Sequence, residues 1–484
     1  MIPWLIKSFR GGISDEPDKG IKGSFKNGYN LAIHEGGDTL KCNQAMIESS
    51  AGVFEDLVVF FVMGIDGSLY AFGDNGRIYS KAGSSYASAF VKRFTGANGA
   101  IKGAAAWGLN TGADYIMWAT DTSIARKEML TTYSGMDWGN AEEDWKTTLT
   151  STYWHTMIRA CGALMIANER WLAMVGYDGS FNVEAMNIDP GQVIKCLEER
   201  DDYVIMGSGD TEENDGYIWS WITTALNYVQ KKRIATAGVN ALISSELMLL
   251  NGGIDGQLIF SDFTNTVSLH KFPQGGEVYP GAVSLYRGLA MFGVWNSGSS
   301  GVNEQNGLWT YGRLMKNRAM ALNWEYRLSS DMAGSSISRV GAVGVFDGAP
   351  YASWRTIDGS TTAYGVDYIS LTDKAEAVYE SLEFDGGMPH IKKVFATAKI
   401  VMEPLPTGCS IAFKYKMDGA ASWTTALTAS GAASFSTVDA TEAEFIINDR
   451  GTFCEVGLTL TPTGNYSPEI RAIVVYIDDK MEIH

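Results

Sequence analysis

The 484-residue sequence predicts an all-β chain: a β-propeller of about seven blades, a C-terminal β-sandwich and an extended N-terminal arm. Three observations predict it. Strand–turn–strand units recur at a mean spacing of about 49 residues, close to the roughly 40–50 residues of a four-stranded blade. After residue 379 that recurrence stops, and alternating strands follow every 10–15 residues or so. The first 50 residues hold several glycine pairs and no sustained periodicity.

Composition sets the class. Hydrophobic residues make up 45%, aromatics 12% and charged residues 19%, which excludes a disordered chain. With 54 glycines and only 11 prolines the chain suits many tight turns rather than a low-complexity repeat. A net charge of −17 disfavours general nucleic-acid coating, which needs clustered Lys and Arg, yet leaves room for a local basic channel. Lys231-Lys232-Arg233 reads as one solvated turn. The longest apolar run, Leu57–Met63, is far shorter than the roughly 18 residues of a membrane span. Residues 1–7 lack a basic segment followed by a long apolar core, so no secretory leader is expected.

The propeller is expected over residues 51–378. Val58–Met63, Asp66-Gly67 and the following strand make the first unit, with Asp66-Gly67 suited to the two positive-φ positions of a hairpin turn. Comparable turns are placed at Asp121, Asp178-Gly179, Thr211, Asp255-Gly256, Ser300 and Asp358-Gly359. Four small-residue entries, Ile101–Trp107, Val193–Leu197, Gly281–Leu285 and Ser338–Val343, suit innermost strands, where backbones converge on a central channel. Insertions blur the period, so six to eight blades fit. An irregular sandwich or solenoid with coincidental spacing is the competing reading.

Residues 379–484 read as a sandwich, with runs at 391–400, 411–416, 443–447, 455–460 and 469–477. Lys414-Tyr-Lys-Met-Asp-Gly-Ala-Ala-Ser-Trp423 reads as a strand, an Asp-Gly turn and a Trp anchoring the next strand. Residues 1–50 suit an arm lying across a neighbouring surface; a strand there would also complete a blade from the other end of the ring.

Enzyme signatures are missing from the sequence: it has no G-x-S-x-G elbow, P-loop, HExxH or dinucleotide fingerprint. No catalytic, cofactor or metal residue is assigned, and no cofactor is expected. The five histidines (His34, His155, His270, His390, His484) are dispersed. Glu142-Glu143-Asp144 and Glu198-Glu199-Arg200-Asp201-Asp202 supply acids, but read as solvated loops rather than a glycosidase pair. Asp210–Gly216 has a calcium-loop composition without the spacing of one. The 14 Trp and 22 Tyr read as core before sugar-binding faces. Five dispersed cysteines, without a CxxC, point to a reducing compartment; Cys409 and Cys454 are the one pair placed to meet.

Ser8–Asp15 (SFRGGISD), Gly23–Leu31 (GSFKNGYNL) and Asp38–Cys42 (DTLKC) resemble the opening of tailed-bacteriophage structural proteins that lead into a β-propeller, in particular tail-nozzle-like and neck proteins. The resemblance covers about the first 45 residues at motif level. It implies a non-enzymatic virion component, assembled in the host cytoplasm as a homo-oligomeric ring through its arm and propeller edges. Portal, adaptor or tail proteins are the implied partners, with passing DNA and a host receptor as further contacts. The other function class is a glycan- or receptor-binding propeller on a phage fibre or cell surface.

Overall fold

The computed structural model describes residues 2–14, 16, 19–35, 38–82, 88–129, 138–150, 154–210, 215–252, 256–272, 277–295, 306–329, 337–358 and 360–478. Its contacts divide the chain into two units: Ile47–Leu308 with Leu328–Tyr368, and Met1–Met46 with Trp309–Arg327 and Ile369–His484.

The first unit is a propeller. Blade 1 is Val58–Met63, Leu69–Gly73, Arg77–Lys81 and Val91–Thr95; blade 2 is Gly103–Gly108, Asp114–Ala119, Ile124–Glu128 and Glu142–Lys146. Blade 3 is Met157–Ala160, Ala163–Asn168, Trp171–Val175 and Phe181–Asn187; blade 4 is Gln192–Arg200, Tyr203–Asp210, Gly216–Trp221 and Gln230–Ile234. Blade 5 is Val239–Ser244, Met248–Gly252, Gln257–Ser261 and Thr266–Lys271. Blade 6 opens with Glu277–Tyr286 and Leu289–Trp295, and blade 7 runs Ile337–Phe346, Ala349–Asp358, Thr361–Lys374 and then Gln44–Glu48. Blades 1 to 5 are antiparallel meanders.

Among the described residues, the first strands of the seven blades contact one another in sequence, and the seventh contacts the first. The ring is therefore closed. All four small-residue entries fall in these inner strands. The reason for small residues is visible at Gly103, Gly281 and Gly341. A Cβ there would run into the carbonyl oxygens of His155, just before the first strand of blade 3, and of Val59 and Val58, on the first strand of blade 1. Between blades the packing is aromatic: Trp118 of blade 2 lies 6.5 Å from Phe72 and 5.9 Å from Phe94 of blade 1.

The expected turns that the structure describes fall in blades 1, 2 and 3, at different hairpins. Asp66 sits between the first two strands of blade 1, Asp121 between the second and third of blade 2, and Asp178 between the third and fourth of blade 3. That explains the uneven gaps. Thr211, Asp255, Ser300 and Gly359 lie outside the described residues. Asp66-Gly67 also differs from expectation: only Gly67 has positive φ (74°), while Asp66 Oδ1 accepts from the Ser68 N–H (3.0 Å). Gly176–Ser180 repeats the arrangement, with Gly179 at 79° and Asp178 Oδ1 accepting from Ser180 N–H (2.9 Å). The Asp side chain caps a wider turn and keeps its own backbone right-handed. Tight turns with two positive-φ residues occur instead at Cys161-Gly162, Asp201-Asp202, Arg287-Gly288 and Asp347-Gly348.

The second unit is a β-sandwich. One sheet runs Ile2–Ile6, Glu469–Asp478, Lys393–Met402, Glu442–Gly451 and Leu427–Thr428, with Leu40–Lys41 also on Glu469–Asp478. The other contains Asn27–Tyr29, Ala377–Glu380, Cys454–Thr461, Ser410–Met417 and Thr424–Thr425. Ile411, Phe413 and Tyr415 are buried and alternate with half-buried neighbours, as the sequence pattern requires. Phe413 stacks on Phe445 of the opposite sheet at 5.6 Å. Asp418-Gly419 turns with both φ positive (49° and 70°), and Trp423 lies under Lys414 and Lys416 at 4.4 and 4.8 Å.

The first 46 residues are extended, but they lie within this unit rather than across a separate surface. Phe9, Phe25, Leu31, Ile33, Leu40 and Cys42 belong to the same core as Phe395, Phe413 and Phe445. An arm carrying an aromatic or aliphatic residue every few positions gains more by burying them in its own chain than by waiting for a neighbour. The division between units falls at Tyr368/Ile369, against the expected 378/379, and residues 309–327 group with the sandwich.

Gly341→Ala should cost about 2–3 kcal/mol because its methyl meets backbone. Gly67→Ala, at positive φ with nothing within 4 Å, should cost about 1 kcal/mol. Calorimetric unfolding of both variants checks the order; a larger loss for Gly67→Ala would refute the crowding account.

Candidate functional site

The acidic runs lie mainly on strands rather than in loops: Glu142, Asp144 and Glu199 stay exposed, as expected, yet serve as joints, and Asp201-Asp202 is an exposed turn. Glu142, Glu143 and Asp144 lie on the outermost strand of blade 2. Glu142 takes two hydrogen bonds from Arg126 (3.1 Å each), and Glu143 Oε2 accepts from the Ala97 N–H (2.7 Å). Asp144 Oδ1 accepts from Ser123 Oγ and Asn98 Nδ2, both at 2.8 Å. The second run shows why adjacent acids are useful on a strand, where successive side chains face opposite ways. Glu199 Oε1 accepts from the Cys161 N–H of blade 3 (2.8 Å), and Glu198 Oε1 from the Ser244 N–H of blade 5 (3.0 Å). Blade 4 is thereby pinned to both neighbours. Burial, with the Glu199 charge as a lesser cause, pushes the Glu198 carboxyl up to about 7 against the pull of the Ser244 N–H.

Lys231-Lys232-Arg233 is likewise not a turn but part of the outermost strand of blade 4. Lys231 pairs with Asp189 (2.5 Å) and lies over Tyr217 and Trp219, while Arg233 pairs with Asp215. His155 bridges the carbonyls of Ala167 (2.7 Å) and Asp121 (3.1 Å), and burial lowers its pKa. His34 Nε2 is 3.2 Å from Thr310 Oγ1, and burial lowers its pKa too. His390 is exposed, His270 is buried, and His484 lies outside the described residues, as does the centre of the Asp210–Gly216 loop. All five cysteines are free thiols; Cys409 and Cys454 make separate contacts, to Tyr466 O (3.6 Å) and Glu455 O (3.4 Å). Among the described residues no group of three or more His, Cys, Asp or Glu is placed to hold a metal ion. Among them, no helix is long and apolar enough to cross a membrane.

Two surfaces stand out that sequence reasoning missed. In the sandwich, Ile2–Ile6 is the terminal strand of its sheet, with Leu5 44% exposed. A groove of about 450 Å³ runs beside it, lined by Trp4, Ile6, Lys7, Lys22, Leu382 and Phe384 among others. Trp4 is fixed there by stacking on Phe384 at 4.2 Å. A free strand edge of this kind offers backbone groups to another chain.

In the propeller, Phe60, Trp154, Tyr279 and Trp295 form a series of rings with centroids 5.9, 5.4 and 5.9 Å apart. Arg339 lies over Trp295 (4.6 Å), and its Nη1 donates to the Tyr279 hydroxyl (3.4 Å). Arg355 sits opposite Arg339 in register, and the buried Nε atoms of both lack a hydrogen-bond partner. Burial raises the Asp74 carboxyl, and these guanidiniums draw it back down. Tyr279 and Arg339 are each third in their inner strands, so the cluster marks where blades 6 and 7 begin. Guanidiniums with spare donors beside aromatic faces can receive an anionic group.

No family model matches the sequence, and no curated protein matches it. Several solved structures are similar. The extracellular domain of a one-component system from B. thetaiotaomicron matches at 12% identity and a TM-score of 0.46, over 75% of this chain and 44% of that one. This chain thus covers less than half the length of that protein. The WD40 β-propeller domain of Doa1 matches at 11% identity and 0.44, over 68% of this chain and 97% of that one. The β-propeller domain of Cps50 (Swd1) from Myceliophteria thermophila matches at 10% identity and 0.43, over 68% and 100%. The likeness is one of fold alone.

The Glu198 joint has a pH signature. Its folded value lies above the ordinary 4.5, so the folded chain holds the proton more tightly and the stability contribution falls as pH rises from about 4.5 to about 7. Glu198→Gln keeps the acceptor and removes the charge. Relative to wild type it should gain about 1–3 kcal/mol between pH 5 and pH 8 in urea unfolding. An equal effect at both pH values would sink the assignment.

Proposed function

We propose that the chain is a non-enzymatic structural component of a tailed-bacteriophage virion, a tail or neck protein of the nozzle kind. The observation that carries this reading is where the resemblance lies. Phe9, Phe25, Leu31, Leu40 and Cys42, from the three motifs similar to phage tail proteins, are core residues of the sandwich. The likeness therefore concerns the frame of the fold rather than a surface loop. Copies join as a homo-oligomeric ring, with the exposed edge of Ile2–Ile6 and its groove as one side of the contact and outer blade strands as further edges. Portal, adaptor or other tail proteins are the neighbours, assembly takes place in the host cytoplasm, and DNA passes in transient contact.

A second reading, a receptor-binding propeller on a fibre or cell surface, is favoured by the Arg339–Trp295–Tyr279 cluster, which offers charge and aromatic surface together. Quantitative mass spectrometry and a cryo-electron map of the particle separate the two. The structural reading expects the chain at fixed copy number around the tail axis; its absence from the particle overturns that reading. Leu5→Lys should cut incorporation about tenfold by charging the free edge. Its effect on the unfolding midpoint of the free chain should stay within about 2 °C. Undiminished incorporation of this variant overturns assembly through the N-terminal strand.

A further inference from the structure

We infer that the groove beside Ile2–Ile6 receives residues 479–484 of a second copy of this chain, laid along the strand as an added edge. The inference rests on the ring assembly proposed above and names the other side of its contact. The groove follows the edge of the strand rather than one of its faces. Trp4, Leu5, Ile6, Lys7 and Ser8 line it consecutively, although successive side chains on a strand point to opposite faces. Residues 22–24 and 381–384 make the other wall. Among the described residues Ile2–Ile6 pairs only with Glu469–Asp478, so its second side keeps backbone donors and acceptors for another strand. The volume of about 450 Å³ lies within the roughly 300–1,000 Å³ of ligand sites.

Charge and pattern select the occupant. Lys7 and Lys22 are exposed on the rim and have no ion-pair partner among the described residues, while Glu383 is already paired with Lys26 at 3.7 Å. In a chain of net charge −17 that rim is a local reversal of sign. Residues 479–484 read Asp-Lys-Met-Glu-Ile-His, two acids against one base, with Met481 and Ile483 two positions apart. An extended chain puts such a pair on one side and Glu482 on the other. Met481 and Ile483 then meet Trp4, Ile6 and Leu382, and the two acids supply the charge that the lysine rim lacks.

Reach makes the exchange one between copies. Ile477 lies opposite Ile2, so Glu469–Asp478 ends beside the start of the edge strand, whereas the groove runs along Trp4 to Ser8. To reach the middle of the groove in its own chain, the segment would have to pass around the start of that strand. That path is about 10 Å across two strand spacings and about 15 Å more along the strand. Six extended residues span about 20 Å, so they stop short. A groove at one place and its occupant at another make a head-to-tail contact, the kind that closes into a ring.

The experiment is fluorescence anisotropy of a labelled peptide of residues 479–484 titrated with the full chain, which needs no particle. Saturable binding with a Kd on the order of 10⁻⁴ M is expected. Peptides carrying Met481→Asp or Ile483→Asp should bind about tenfold more weakly, and these changes leave the folded chain untouched. Lys22→Glu in the chain, at an exposed position, should weaken the unaltered peptide about threefold with the unfolding midpoint unchanged. The inference is overturned by no saturable binding, by equal binding of a scrambled peptide, or by binding indifferent to all three changes. None of these outcomes decides whether the chain is present in the particle; absence there beside peptide binding here would overturn the virion reading alone.

Discussion

The structure depends on one constraint: a ring of seven inner strands must close without leaving a free edge in its last blade. Three strands of that blade come from residues 337–374 and the fourth, Gln44–Glu48, from near the start of the chain. The Ser49 N–H donates to the Val366 carbonyl at 2.7 Å, which continues the join. Around the ring the same closure is reinforced by buried polar contacts. Ser353 Oγ donates to the Val58 carbonyl (2.5 Å) while accepting from the Ala342 N–H (2.8 Å). Lys81, fully buried, donates to the Tyr351 hydroxyl (2.8 Å) and lies 4.7 Å from that ring's centre; burial lowers its pKa to about 8. Circular closure between the two ends of a repeat removes the frayed blade that an open array would expose.

The sandwich meets a different demand, that of holding the first 46 residues in place. A buried carboxylate does this. Glu325, 3% exposed, accepts from Asn43 Nδ2 (2.7 Å), Thr310 Oγ1 (2.9 Å) and Asn323 Nδ2 (2.7 Å). Asn43 and Asn323 each also donate to the Leu31 carbonyl, at 3.2 and 2.8 Å. The network ties the N-terminal segment to residues 309–327 through polar contacts as well as through the aliphatic core. Such a charge is tolerable only when its oxygens are fully used, and removing one donor leaves the others around an uncompensated anion.

The sequence made the repeat legible because inner strands have a strong local signature. Small residues at Gly103, Gly281 and Gly341 are forced by neighbouring backbones, and the alternation at Ile411, Phe413 and Tyr415 is forced by one buried face. The turns were legible only in part. Asp66 and Asp178 mark turns correctly, but their side-chain capping makes them wider than two-residue hairpins. Cys161-Gly162 and Arg287-Gly288, which are tight, lack the usual Asn or Asp in first place. Nothing local in Asn43, Thr310, Asn323 and Glu325 announces that they meet, since 282 residues of chain separate the first from the last.

The acids illustrate the limit most clearly. From composition, −17 is a surface property, and runs such as 142–144 and 198–202 look like solvent-facing loops. On a strand, adjacent carboxylates point to opposite faces, so a pair like Glu198 and Glu199 reaches two neighbouring blades at once. An acid used in this way is an acceptor for another blade's backbone N–H, as Glu198 is for Ser244 and Glu199 for Cys161. A propeller has many such groups, because every blade ends against turns of the next. Part of the net negative charge thus follows from the number of joints in the ring rather than from any ligand it repels or attracts.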